Sequence, residues 1–317
     1  MDRTTLIIFT ILISVSGCLQ QISTNFDQNA GAVVQDTSFD TPEVYDDEIV
    51  SLMFDVVNVG GKEISGTDGI KVYVYGPKIE NKSGSENVWR LERSDSAAVS
   101  ENGYITTSIS SVDLPPPHPS LGASGGRRSF EFEFDPADVL DGIEIPVIFY
   151  VSLCYPYTTK TITQIEVTSR NELRATGVRS SRKDTINAAG PVHLSVQGEG
   201  NIRAGGIIPL VFKVTDVGGG FATLDDVDCA ADQPTSVRNR VKINVTVDGD
   251  KNVDCSSTDN IVRLKNGVGT LFCKYNLPDT SGAPRRTYMV RATVTYKYYT
   301  TSTTTVTNIG SSLLEAT

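Results

Sequence analysis

The sequence predicts an all-β protein built from two β-sandwich domains in tandem. Three observations lead there: apolar and polar residues alternate with period two, turn signals recur at short intervals, and two pairs of segments return in the same order along the 317 residues. "SLMFDVVNVGG" at 51–61 returns as "PLVFKVTDVGG" at 209–219. "VIFYVSLCYPYTTKTITQIEV" at 147–167 returns as "MVRATVTYKYYTTSTTTVTNI" at 289–309, an offset of 142. One domain type used twice, over residues 45–168 and 191–310, accounts for both pairs.

In the first pair Leu52, Phe54 and Val56 share one face, as do Leu210, Phe212 and Val214. Asp55 and Lys213 fall on the other face, which marks half-buried strands. Each strand then meets Val-Gly-Gly, where glycine permits a tight turn or bulge. The second pair is long, β-branched and aromatic, again strand material. Further strands are expected at "IKVYVYGP", "YITTSISSV", "SFEFEFDP", "VHLSVQG", "RVKINVTVDGD" and "VRLKNGVGTLFCKYNL". Asn266-Gly267 and "VDGD" at 247–250 are tight-turn signals, because Asn-Gly and Asp-Gly supply positive φ. No helical period is sustained; "DPADVLDG" reads as a single turn. Residues 169–190 are basic, with Arg170, Arg174, Arg179, Arg182 and Lys183, and read as a solvated linker or a last strand of the first domain. "LPPPHPSLGASGGRRS" reads as a protruding loop, polyproline-like at its start.

The front of the chain has a different character. Leu6 to Val15 is a ten-residue apolar run behind Arg3, too short for a membrane-crossing helix and the right length for a secretory signal. The "VSGC" that follows resembles a lipobox, which implies cleavage after residue 17 and lipid on the Cys18 sulfur. The expected order is therefore a signal peptide (1–17), a lipid anchor and polar tether (18–44), the first sandwich (45–168), a linker (169–190), the second sandwich (191–310) and a tail (311–317).

Composition excludes several function classes. Hydrophobic content of 39% against 21% charged residues fits a folded body. A net charge of −10 argues against nucleic-acid binding, which needs a basic footprint. Two histidines, His118 in the proline-rich loop and His193 opening a strand, leave little for a Ser-His-Asp relay or a zinc site. No cofactor and no metal site is called for: the aspartates of "TLDDVDCAAD" and "TVDGDKNVD" lack EF-hand spacing and read as turn residues.

Besides Cys18, four cysteines remain: Cys154, Cys229, Cys255 and Cys273. Cys255 and Cys273 lie in one stretch that folds back through the Asn-Gly turn and are the favoured disulfide. Cys229 competes for either of them, and Cys154, aligned with Tyr296 in the repeat, reads as a small buried hydrophobe. Asn81-Lys-Ser and Asn244-Val-Thr are candidate glycosylation sequons.

"FDVVNVGGKEISG" and "FKVTDVGGGFA" resemble the strand-turn of the CARDB group, immunoglobulin-like domains of archaeal and bacterial surface proteins. "LCYPYTTK" and "VRLKNGVGTLFCKYNLPD" are similar to lipobox-bearing archaeal envelope proteins. The resemblance covers most of residues 45–310. It implies two tandem Ig-like sandwiches behind a lipobox leader, anchored at the outer face of the cytoplasmic membrane. The implied role is non-catalytic, in envelope structure or adhesion, with surface proteins or glycans as partners and no nucleic acid. The alternative is a surface binding protein that holds a glycan, a peptide or Ca²⁺ in domain-end loops.

Overall fold

The computed structural model describes residues 26–82, 87–95, 97–110, 112–177, 184–197, 206–231, 233–277 and 285–311. The signal segment, Cys18, the tail beyond Ser311, and Arg179, Arg182 and Lys183 of the basic stretch lie outside them.

Alternation and β-branched content produce strands almost throughout. The first half holds β1 (Ala32–Phe39), β2 (Glu43–Tyr45), β3 (Val50–Asn58), β4 (Ile70–Tyr75), β5 (Ile79–Asn81), β6 (Trp89–Ser94), β7 (Val99–Glu101), β8 (Tyr104–Ile109), β9 (Arg127–Asp135) and β10 (Glu144–Thr168). The second holds β11 (Ile186–Asn187), β12 (Val192–Gln197), β13 (Ile207–Asp216), β14 (Phe221–Thr223), β15 (Arg240–Val247), β16 (Val253–Cys255), β17 (Ile261–Arg263), β18 (Val268–Asn276) and β19 (Arg285–Ile309). They form a five-stranded sheet, β1-β3-β9-β6-β5, and a four-stranded sheet, β12-β13-β18-β16. A ten-stranded sheet follows the path β17-β15-β19-β10-β4-β8-β7, with β2, β11 and β14 added at its sides. The chain is all-β with stacked, sandwich-like sheets.

The large sheet is organised by one ladder. β10 and β19 pair antiparallel from Glu144↔Ile309 to Thr168↔Arg285 without a break in register. β4 adds to the first part of β10, at Tyr150–Cys154, and β15 adds to the first part of β19, at residues 290–295. The remainder of each long strand reaches across and lines the sheet of the other half. Each half is thus completed by a strand end that belongs to its neighbour.

The strand order is the same on the two sides of this ladder. β8-β4-β10 faces β17-β15-β19, and β1-β3-β9-β6 matches β12-β13-β18-β16. The register places a pseudo-two-fold axis through the pair Pro156↔Lys297, which relates residues 141 apart rather than 142. The correction matters because side chains alternate with period two, so a slip of one sends every matched residue to the opposite face. At 141, Phe149 matches Val290, Leu153 matches Val294, Tyr155 matches Tyr296 and Tyr157 matches Tyr298, all of them buried. Low-complexity "YTT" runs align about as well one residue away, which is why sequence alone misplaced them.

Both smaller sheets pack on the large sheet through one continuous core. The first half fills it with rings: Phe54 stacks on Phe130 and Phe132, and Trp89 meets Phe149 edge-on at 4.9 Å. At the axis Tyr155, Tyr157, Tyr296 and Tyr298 close a ring of neighbours with centroids 6.0–6.2 Å apart. The Tyr298 hydroxyl donates to Asp216 Oδ1 at 2.7 Å and accepts from the Gly220 amide at 2.8 Å. A Cβ on Gly218 would lie 2.6 Å from that hydroxyl and 2.4 Å from Pro191 Cβ, so the second Val-Gly-Gly is where a buried tyrosine docks.

Other expectations change in detail. Asn266 and Gly267 adopt φ of 49° and 76°, but their turn carries the chain from β17 in the large sheet to β18 in the four-stranded one. Asp248-Gly249 likewise joins β15 to β16 across sheets. Both are sandwich corners, not hairpins within one sheet. The stretch 169–190 includes a helix, Arg170–Thr176: Ser169 Oγ accepts from the Glu172 amide at 3.2 Å, and Gly177 ends it with φ 66°. Ser169-x-x-Glu172 is the capping signal that the sequence carried for it. "DPADVLDG" forms only a turn at Leu140–Ile143, with Gly142 at φ 73°.

Candidate functional site

The face of the large sheet turned away from the core carries its own set of rings. In "IKVYVY" Val72 and Val74 enter the core, so Tyr73 and Tyr75 take the opposite face. Register sets Tyr75 against Tyr150 and Tyr73 against Ser152. Tyr75 stacks on Tyr150 at 5.2 Å and 14°, and Tyr104 of β8 meets Tyr73 edge-on at 5.9 Å. The Tyr75 hydroxyl bonds Ser152 Oγ at 3.1 Å, and Ser152 bonds Thr301 at 2.7 Å. The result is a row of tyrosines across β10, β4 and β8.

A strap between β14 and β15, described at residues 224–231 and 233–239, crosses this face beside the row. Cys229 binds Cys154 of β10, so the strap of one half is bolted to a strand of the other. Cys154 is fully buried and lies on the outer face with Tyr73 and Tyr299. Its two-fold mate is Thr295, not Tyr296, and it is a disulfide cysteine rather than a lone hydrophobe. The Tyr299 hydroxyl accepts from the Ala230 amide at 3.1 Å and from Gln233 Nε2 at 2.9 Å. Lys297 Nζ donates to the Val227 carbonyl at 2.7 Å. Burial, above all, raises the pKa of the Tyr73 and Tyr299 phenols, so both are protonated hydrogen-bonding groups at neutral pH.

Between the strap and the first half lies a cleft of about 520 Å³. Tyr75 and Tyr104 form its aromatic wall, the Asn102-Gly103 turn and Lys78 its rim, and Ala231 and Arg238 its strap side. Arg238 is fixed in place: its guanidinium sits 4.8 Å over the Phe221 ring, Phe221 stacks on Tyr299 at 4.5 Å, and Nε donates to the Gln233 carbonyl at 2.7 Å. Chemically the cleft offers ring faces, phenol and amide hydrogen bonds and positive charge. Among the described residues that line it there is no nucleophile set against a base and no histidine. A volume of this size suits a small ligand or a few units of a polymer.

Cys255, Cys273, Asn81 and Asn244, singled out from sequence, do not line this cleft. Cys255 and Cys273 form the expected disulfide, as direct cross-strand partners of β16 and β18. Asn244 sits on β15 with its side chain exposed, and Asn81 is exposed at the end of β5. Cys18 lies outside the described residues. His193 is half-buried, and burial lowers its pKa, so its imidazole is neutral at pH 7. Two aspartates of "TVDGDKNVD" accept from the backbone: Asp248 Oδ1 from the Met289 amide at 2.7 Å and Asp250 Oδ1 from the Asn252 amide at 3.0 Å. The sequence reading missed the tyrosine row. Its signal was present, since aromatics at the polar phase of an alternating strand are out of place unless something covers or uses them.

This geometry defines a disulfide-braced, all-β scaffold with an aromatic-walled cleft. No protein-family model and no curated protein matches the chain. Among solved structures it aligns with the N-terminal region of an enterococcal surface protein at 10% identity, covering 87% of this chain and 95% of that one, with a TM-score of 0.21. The Enterococcus faecalis MSCRAMM ACE aligns at 10% identity over 88% and 95%, with a TM-score of 0.17. The collagen adhesin CNA from S. aureus aligns at 8% identity over 90% and 98%, with a TM-score of 0.15. Scores this low carry no weight, and the fold is read from the strand order above.

Proposed function

We propose that this chain is an exported, non-catalytic binding protein of the cell surface, acting in adhesion or envelope interactions. In this reading Cys18 carries the lipid that holds it on the outer face of the cytoplasmic membrane. Two Ig-like sandwiches of the CARDB kind, as in archaeal envelope proteins, are presented as one unit. The observation that carries the reading is the Cys154–Cys229 bridge, which seats the strap against the aromatic cleft. Such bridges form and persist in oxidising compartments, outside the cytoplasm. No helix among the described residues is long and apolar enough to cross a membrane, and a lipid anchor asks for none.

The test is mass spectrometry of the native chain under non-reducing conditions, with and without Cys18→Ala. The expected product starts at Cys18, carries a lipid mass that Cys18→Ala abolishes, and contains both disulfides. Unprocessed chain with free thiols in the cytosol overturns the proposal.

A further inference from the structure

We propose that the cleft between the strap and the tyrosine row binds an acidic carbohydrate, with the ring of a uronic-acid-type sugar against Tyr75 and Tyr104 and its carboxylate on Arg238. The inference rests on the surface-binding reading above and names the ligand class of that site. Three observations carry it.

The first is charge. In a chain of net charge −10 the lining of this cleft contains two cations, Lys78 and Arg238, and no carboxylate among the described residues. Lys78 is paired with Glu80 at 2.5 Å, whereas Arg238 makes no ion pair among the described residues. One unpaired guanidinium complements one carboxylate, which its planar fork can hold by two parallel hydrogen bonds.

The second is preorganisation. Stacking on Phe221 and the bond from Nε to Gln233 hold the guanidinium, and Cys229–Cys154 holds the strap that bears it. A group fixed before binding loses little freedom on binding.

The third is the shape and chemistry of the wall. Tyr75 and Tyr104 are half-buried, each packed against another tyrosine, so they form a fixed surface rather than mobile side chains. A pyranose has an apolar C–H face and a hydroxyl-rich edge. The rings take the first, and the phenol oxygens and the Asn102 amide take the second. A peptide would draw its affinity from main-chain pairing along a sheet edge, whereas this wall is a sheet face.

The experiment is calorimetric titration of the full chain, both disulfides formed, with a hyaluronan tetrasaccharide, oligogalacturonate, neutral chitotetraose and an oligoglutamate peptide. At least one uronate oligosaccharide is expected to bind at one site per chain, more tightly than chitotetraose and oligoglutamate. Arg238→Gln is expected to weaken the uronate by about tenfold or more, the worth of a charge-assisted pair, and to leave chitotetraose unchanged. Arg238→Lys recovers part of the loss. Tyr104→Ala weakens all sugars, and Tyr104→Phe, which keeps the ring, separates stacking from any folding defect. Melting curves of each variant verify the fold. Equal binding of oligoglutamate, uronate binding unaffected by Arg238→Gln or by Tyr104→Ala, or no uronate binding at millimolar concentration each overturns the assignment. A negative result with a correctly processed, lipid-bearing chain sinks the ligand class alone, since N-terminal processing is read independently of sugar binding.

Discussion

The pseudo-two-fold axis permits a direct comparison between the outer face of the first half and its mate in the second. Tyr73, Tyr75, Tyr150 and Ser152 of the first face correspond to Asn244, Thr246, Arg291 and Thr293 of the second. The backbone register is the same: Tyr75 opposes Tyr150, and Thr246 opposes Arg291. One face is aromatic, strapped and clefted, and the other is polar, with Asn244 and Arg291 exposed. The core-facing residues between them stay apolar on both sides, because burial constrains that face and leaves the other free to diverge. The scaffold is duplicated and the site is not.

The largest expected effect comes from separating the halves. Residues 26–190 alone retain β10 but lose β19, so the ladder is gone along the whole of Glu144–Thr168, with β4 left at 150–154 and β11 at 161–162, and Tyr155 and Tyr157 are stripped of Tyr296 and Tyr298. The fragment should be unfolded or should dimerise through its own β10; a folded monomer by light scattering would break the claim that each half completes the other.

Next come the disulfides, one at the junction and one within the second half. Replacing Cys154 and Cys229 by alanine opens a 75-residue separation, and on the chain-entropy model costs about 4.5 kcal/mol. The pair Cys255 and Cys273 encloses 18 and should cost about 3 kcal/mol. Denaturant melts measure both; a larger loss from the shorter loop would show that enthalpy or residual unfolded structure dominates.

Two-fold mates then provide a finer contrast. Tyr298→Phe deprives the half-buried Asp216 of its 2.7 Å donor and should cost about 1–3 kcal/mol. Tyr157→Phe removes one bond, 3.2 Å to the Ala189 carbonyl, and should cost about 0.5–1.5 kcal/mol. Equal losses would mean that the carboxylate adds nothing to its partner's role.

Acid titration separates two carboxylates of opposite sign. Burial raises the Asp216 pKa, more than the bonds from Tyr298 and Gly218 lower it, so its protonation favours the fold. Stability from this group rises as pH falls from neutral through its folded pKa toward 3.8. Burial also opposes ionisation of Asp46, but bonds from the Ser311 hydroxyl and the amides of Val139 and Ser311 outweigh it and lower its pKa. Its contribution is present above 3.8 and is lost as pH falls through the lower folded value. Asp216→Asn should flatten the upper part of the pH–stability curve and Asp46→Asn the lower.

The smallest effect belongs to Asn244→Gln. The side chain is exposed, so stability should hold within about 0.5 kcal/mol. In the native host the substitution should remove a glycan mass, visible in the intact-chain spectrum, if the second face is the glycosylated one.

Much of the fold was legible in local pattern. The alternation of Leu52, Phe54 and Val56, and of Leu210, Phe212 and Val214, identified β3 and β13 and their buried faces, because period two is a property of the strand itself. The Asn-Gly and Asp-Gly turns were legible for the same reason. The site was not. Cys154 and Cys229 are brought together by the ladder and the strap, and Tyr104 joins Tyr75 only through the pairing of β8 with β4.

The amino-acid order alone thus determined which segments are extended, which side chains each strand buries and that the pattern occurs twice. These follow from neighbours a few residues apart and from the cost of leaving apolar groups in water. Tertiary structure decided the 141-residue register, the cross-half disulfide and the aromatic cleft. Each depends on contacts between segments tens of residues apart, and a one-residue slip that costs nothing in a linear alignment turns every side chain of a folded strand to the wrong face.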